Sequence, residues 1–314
     1  MKNDKLLTIK EARKSTCINC DSFKCCSLLA LTKYPLLSLS DLDVTAYYLN
    51  FSDIIVILDR GGECHIYYSK ACRFFNKESK TCSVHNQPLQ SATCVYYNPY
   101  RCFYKKVNDD KHQIQHGHIW LDHERLNYIS GRIGFDEKRN IVQMPDYTKL
   151  VEEFNSSIPY NRSAEPFFTE KEESVFVKND NVCRKCSASC CKKILIQSNI
   201  PLNIGSIDFY SYSVNFPGIQ YLISDDGWVM LVDSRCKYLN KNNKCSIVDK
   251  NERPLRCHYM NPLQCNINYK INRSGQIKAD FNNFEKIKKG IKTDNDGNVV
   301  SIESTENLQK LISE

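Results

Sequence analysis

The 314-residue sequence has no run of about eighteen apolar residues, the length a helix needs to cross a bilayer, so no membrane partner is expected. Its first stretch, Met1-Lys-Asn-Asp-Lys-Leu-Leu-Thr-Ile-Lys10, lacks the apolar core of a secretory signal. No Gly-rich loop follows a strand to hold a nucleotide or a methyl donor. No Ser-His-Asp set and no paired-carboxylate arrangement stands out, so nothing here points to hydrolytic chemistry. The cysteine spacings of the common ferredoxins are missing, and so is the Cys-x3-Cys-x2-Cys triplet of radical enzymes. A decisive charge imbalance is missing too. The formal charge of +7 counts every cysteine as neutral. Sixteen thiolates around four divalent ions would bring it to about −1, and eight around two clusters of core charge +2 to about +3. A nucleic-acid partner is therefore not expected, whereas a protein partner stays open.

Cysteine is what the sequence has in excess. Sixteen of its seventeen cysteines fall into one order that occurs twice. The second occurrence has Cys183, Cys186, Cys190 and Cys191, then Cys236 and Cys245, then Cys257 and Cys265. The first, roughly 165 residues upstream, has Cys17, Cys20, Cys25 and Cys26, then Cys72 and Cys82, then Cys94 and Cys102. Cys82 to Cys94 and Cys245 to Cys257 are both twelve residues, and Cys94 to Cys102 and Cys257 to Cys265 are both eight. Inert packing explains one or two cysteines, such as Cys64, which stands outside the order. It does not hold cysteine at eight matching places while most residues between them differ.

Thiolate is a soft ligand, and all-sulfur sites select zinc, iron–sulfur clusters or Cu(I). Four thiolates fill one tetrahedral zinc site or one cubane. One Cys-x-x-Cys knuckle supplies only two, so two knuckles must meet. All sixteen cysteines are thus candidate ligands for zinc or iron, the iron alone or in an iron–sulfur cluster. Arg253 and Arg256, beside Cys257, are candidates for hydrogen bonds to the sulfurs, or equally for capping a short helix. A secreted disulfide scaffold fits poorly with an odd cysteine count, two adjacent Cys-Cys pairs and no signal peptide. A reducing, cytoplasmic setting is expected.

The expected fold class is α+β: two tandem small cysteine-rich repeats, each with short helices, a β-hairpin and thiolate metal knuckles. Residues 1–134 form the first repeat, 135–182 a helix and polar linker, 183–290 the second repeat, and 291–314 a C-terminal extension. Helices are expected from Ser38, from Ile204, over Asp146–Phe154 and over Ser304–Ile312, with a lysine-rich helical piece near Asn283–Lys289. Hairpins are expected at Ile54–Tyr68 around Gly61-Gly62, at Ile219–Val232 around Gly227, and at Tyr269–Lys278. Short helices should carry Cys94 and Cys257. The histidines 112, 116, 118 and 123 read as a solvated hairpin or loop, and Asp294-Asn-Asp-Gly297 as a plain turn.

The order Cys183-x2-Cys186-x3-Cys190-Cys191, then Cys236-x8-Cys245-Ser246, then Arg253-Pro254-x2-Cys257, resembles the YkgJ-type cysteine-cluster family of zinc- or iron-chelating proteins. The first half departs further from that pattern. It has an extra residue before Cys25 and another between Cys72 and Cys82, with Ser91 where Pro254 stands. The resemblance implies metal binding. One branch of the family, the flagellin lysine N-methylases, makes a protein-modifying enzyme the alternative, beside an iron–sulfur redox protein. Whether the chain is an enzyme stays open.

Overall fold

The computed structural model describes residues 23–85, 87–95, 118–162, 187–247, 253–259, 271 and 274–314. Cys17, Cys20, Cys102, Cys183, Cys186 and Cys265 lie outside the described residues, as do His112 and His116. The fold is α+β. Its first half opens on a 3-10 turn, Lys24–Cys26, followed by β1 (Leu29–Pro35), α1 (Leu39–Leu49), β2 (Ile54–Asp59) and β3 (Glu63–Tyr68). A ribbon of β4 (Phe75–Asn76) and β5 (Thr81–Cys82) comes next, then α2 (Ala92–Val95), β6 (His118–Leu121) and α3 (His123–Ser130). The half ends with a ribbon, β7 (Gly134–Phe135) and β8 (Ile141–Gln143), and α4 (Tyr147–Ser156).

The second half opens on the 3-10 turn Ser189–Cys191, then β9 (Lys193–Ser198), α5 (Ile204–Ser213), β10 (Ile219–Ser224) and β11 (Gly227–Asp233). It continues with α6 (Leu255–Tyr259), β12 (Ile277–Ala279), α7 (Phe284–Lys288), the ribbon β13 (Ile291–Thr293) with β14 (Val299–Ile302), and α8 (Thr305–Ser313). The main sheets run β1-β3-β2-β6 and β9-β11-β10-β12, antiparallel throughout.

Local chemistry explains the elements. Ser38 caps α1 by accepting from the Asp41 amide, and Asn203 caps α5 in a reciprocal box with Ser206. Asp146 and Ser304 cap α4 and α8 the same way. The unbroken apolar run Ile54-Ile-Val-Ile-Leu58 belongs to a strand buried on both faces. Ile54, Val56 and Leu58 point into the main core, while Ile55 and Ile57 pack with Leu28, Tyr67 and Trp120 on the other side. The main core is continuous through both halves, from Leu29 and Tyr68 to Tyr221 and Trp228.

The expected helices and the first two hairpins are where the sequence puts them, and Asp294–Gly297 is a turn, joining β13 to β14. Two expectations need correction. β1 and β9, directly after the Cys-Cys pairs, make each hairpin part of a four-stranded sheet. The histidine stretch is not a solvated loop at its described end. Most of the first arm of the expected hairpin at Tyr269–Lys278 lies outside the described residues, and Ile277–Ala279 pairs with β10. His118 pairs across from Asp59 on β6, and His123 is buried at the start of α3.

His123 bonds Asn50 through Nε2 at 2.9 Å, and burial, then the nearby Lys237 charge, pushes its pKa down to about 3. The neutral ring is required by the fold. Protonation is therefore easier in the unfolded chain, and stability falls as pH drops below about 6.5, by about 1.4 kcal/mol per pH unit until about 3. His123→Gln should flatten that part of the stability–pH curve in urea titrations. An unchanged slope would show that other groups set it.

The halves also lock through Tyr68, whose hydroxyl donates to the carbonyls of Pro217 at 2.7 Å and Asp233 at 2.9 Å. Gly218 lies beside it with φ +92, and a Cβ there would stand 2.6 Å from that hydroxyl. Gly218→Ala should cost about 2 kcal/mol or more in denaturant melts, through both the left-handed backbone and the displaced hydroxyl. A neutral substitution would mean that Tyr68 moves aside freely.

Candidate metal centres

Each adjacent Cys-Cys pair sits on a one-turn 3-10 helix entered through a left-handed residue. Phe23 has φ 46° and Ala188 φ 60°, each two positions ahead of the first cysteine of its pair. This bend turns the two side chains to one side, and the Sγ atoms of Cys25 and Cys26, and of Cys190 and Cys191, are each 4.0 Å apart. Two ligands of one tetrahedral zinc ion stand about 3.8 Å apart, given zinc–sulfur bonds of about 2.3 Å. Either pair thus spans one edge of such a site.

The next cysteine is tied to that turn. Cys72 donates its amide to the Cys26 carbonyl, and Cys236 to the Cys191 carbonyl, both at 2.7 Å. Beyond it the chain makes the same loop in both halves. Phe75 bonds back to Cys72 and Leu239 to Cys236, and Ser83 bonds Phe74 as Ser246 bonds Tyr238. Lys80 and Asn243, both left-handed, close the loops two residues before Cys82 and Cys245. The extra residue between Cys72 and Cys82 is absorbed inside the loop.

Neighbouring thiols lie close enough to feel one another's charge. Burial, then the Cys82 and Cys25 thiolates, pushes Cys72 up to about 11, and Cys82 is raised by burial and by Cys25. Cys25 itself is lowered, chiefly by its bond to Cys26. In the second half Cys236 is pushed up to about 11 by burial, then by Cys245 and Cys190. Cys190 is raised by its bond to Cys191 and by burial. Cys257 is raised well above the ordinary thiol value by burial, then by Cys190, with Arg253 opposing and Cys236 adding to the rise. A cation placed among these groups would reverse that repulsion, since a metal binds the thiolate and displaces its proton. The structure thus brings together Cys25, Cys26, Cys72 and Cys82 in one half, and Cys190, Cys191, Cys236, Cys245 and Cys257 in the other. Cys94 is half-buried on α2, packed against the core. No disulfide joins any two of the eleven described cysteines.

Among the described residues no three thiols all lie within 4.8 Å of one another. The one described group that does meet that distance is Asp59, Glu63 and His65, at the first hairpin's turn. Its atoms are already engaged. Asp59 accepts from the amides of Gly61 and Glu63 and pairs with His65 at 2.9 Å, and Glu63 pairs with Lys33 at 2.7 Å. Cys64, the cysteine outside the order, is fully buried with its thiol pushed up to about 12 by burial, as a small apolar side chain would be placed.

Arg253 is buried and donates to the Cys257 carbonyl at 2.7 Å, while its charge favours the thiolates of Cys190 and Cys257. Arg256 is exposed, with its guanidinium 5.5 Å from the centre of the Tyr47 ring.

Sequence reasoning missed the residues that reach these centres from the opposite half. Asp43 on α1 accepts from the amides of Leu255 at 2.6 Å and Arg256 at 2.8 Å, at the start of the helix that carries Cys257. Asp208 on α5 accepts from the amide of Ala92 at 2.8 Å and from that of Thr93, at the start of the helix that carries Cys94. Tyr47 donates to the Cys190 carbonyl, and Tyr212 to the Cys25 carbonyl. Lys237, next to Cys236, donates its amide to Asn50, and Arg73, next to Cys72, donates to Asn215. The signal was present as Asp-x3-Tyr-x2-Asn, at 43, 47 and 50 and again at 208, 212 and 215. That spacing lines one face of a helix.

No family model, no curated protein and no solved structure matches this chain. No helix among the described residues is long and apolar enough to cross a membrane.

Proposed function

We propose that the chain is a metal-binding protein built from two tandem copies of one α+β unit, whose thiolate centres organise the fold. The observation that carries this reading is the matched thiol geometry. In both halves a Cys-Cys pair with sulfurs 4.0 Å apart is bonded, carbonyl to amide at 2.7 Å, to the cysteine that opens the second knuckle. Thiolates gathered this closely would repel one another, and a soft cation bound among them offsets that repulsion. Duplication is supported by the sheet orders and by parts outside the cysteine span. The β7–β8 ribbon with α4 has its counterpart in β13–β14 with α8. Asp136 and Asn140 even make the same turn bonds as Asp294 and Asn298. In this reading the residues after 134 are the end of the first unit, and those after 290 the end of the second. The first unit thus runs past 134 to take in α4, and the second runs past 290 to take in α8.

Zinc fits the 4.0 Å pairs as one edge of a tetrahedral site. The likeness to zinc- or iron-chelating cysteine-cluster proteins supports metal of either kind. A reducing compartment is the setting in which such thiols persist. Elemental analysis and visible absorption of anaerobically purified protein test the reading. A brown protein with iron and sulfide identifies the cluster, and a colourless one with zinc the structural site. Absence of zinc, iron and copper refutes the proposal.

A further inference from the structure

The bonds that run between the halves converge on segments that carry cysteines. The α1 face formed by Asp43, Tyr47 and Asn50 meets the start of α6, the carbonyl of Cys190 and the amide beside Cys236. The α5 face formed by Asp208, Tyr212 and Asn215 meets the start of α2, the carbonyl of Cys25 and the amide beside Cys72. Each helix stands five, nine and twelve residues past its N-cap at these positions, Ser38 in one and Asn203 in the other.

The described turns of α2, Ala92–Val95, and α6, Leu255–Tyr259, open on amides that have no acceptor within their own helix, as every helix start does. In each case a carboxylate from the opposite half takes up two of those amides. Ser91 and Thr93 add their hydroxyls to Asp208, where Pro254 offers none to Asp43. Asp43 is buried, and burial raises its pKa against the opposing pull of the Arg256 and Leu255 amides.

We infer that Asp43 and Asp208 are positioning residues acting across the molecule: each sets the place of the cysteine-bearing short helix in the half to which it does not belong. What the centres hold rests on the metal-binding reading above, whereas the crossed dependence does not. Neither half then carries a complete centre. The first half's thiols are arranged by the second half's helix, and the second half's by the first. An ordinary contact between halves would behave otherwise, because weakening it would loosen both centres alike.

The test uses the full chain. In the full chain as purified under reducing conditions, iodoacetamide alkylation of each cysteine is followed by mass spectrometry. Asp43→Ala should raise the rate at Cys257 about tenfold and leave Cys94 within about twofold, and Asp208→Ala should do the reverse, since the first removes two charge-assisted bonds and the second four, each at one helix only. Asp43→Asn keeps one acceptor oxygen and should restore part of the protection; it also serves if the alanine variant fails to fold. Equal acceleration at both cysteines, or at neither, overturns the inference.

Metal content gives the second readout. With the first centre disabled by Cys25→Ser and Cys82→Ser, Asp43→Ala should remove the remaining zinc or iron. With the second disabled by Cys190→Ser and Cys236→Ser, Asp43→Ala should leave it in place. If the unaltered chain holds no metal, the metal-binding reading fails while the alkylation pattern still decides this one.

Discussion

Cys257→Ser is expected to empty the second centre of its metal. The Cys257 thiol is buried among the Cys190 and Cys236 sulfurs and faces Arg253. Serine has nearly the same shape, but its hydroxyl neither ionises at neutral pH nor offers a soft donor. Structural thiolate zinc sites are worth about 10–16 kcal/mol in small peptides, so losing one of four ligands costs several kcal/mol of folding free energy. Affinity should drop by far more than the roughly 10–100-fold that follows loss of a supporting partner. Cys94→Ser should cost less. The second half adds Arg253, whose positive charge favours the Cys190 and Cys257 thiolates, whereas the first half has the neutral Gln90 at that place. Cys64→Ser is the control: Cys64 is fully buried, yet its replacement should leave metal content unchanged. Equal metal content in the Cys257→Ser and unaltered chains would remove Cys257 from the ligand set.

Arg125→Ala should be the most destabilising change away from the cysteines. Arg125 is 1% exposed and donates to three backbone carbonyls: Trp120 at 3.0 Å, Phe154 at 3.2 Å and Ile158 at 3.0 Å. It also lies against the rings of Phe154 and Tyr160. It therefore fastens the end of α4 to α3 and to the sheet edge at β6. Alanine would strand three buried acceptors and open a cavity of arginine size, at a cost of about 3–5 kcal/mol. Arg125→Lys should recover little, because one ammonium does not reproduce a planar fork with three separate acceptors. Urea melts of the two variants measure this. A loss below about 1 kcal/mol for alanine would mean that water reaches and satisfies the carbonyls.

Much of this was legible in the sequence because it depends on local chemistry. The N-caps Ser38, Asp146 and Ser304 announce their helices, and Gly61-Gly62 and Gly227 announce hairpins, since capping and positive φ are properties of a few neighbouring residues. The matched cysteines announce the centres. What escaped was whatever depends on contacts between residues distant in the sequence. Leu29–Pro35 and Lys193–Ser198 become strands because β3 and β11 offer them free edges, and short mixed runs carry no strong period of their own. Asp43 and Asp208 read as ordinary polar positions on amphipathic helices, and their role appears only when α6 and α2 dock against them. His123 looked like part of a solvated histidine tract, but the local pattern does not reveal that Asn50 and the core enclose it. The three-residue signature at 43, 47 and 50 could have been found by aligning the halves outside the cysteines as well as at them.

The most direct measurement is metal identity and stoichiometry per chain in protein purified anaerobically, before and after dialysis against a strong chelator. Two thiolate centres predict about two to four zinc ions, or iron with matching sulfide, and loss of cooperative unfolding once the metal is removed. A chain that carries no zinc, iron or copper, and that unfolds identically with and without chelator, would contradict the account.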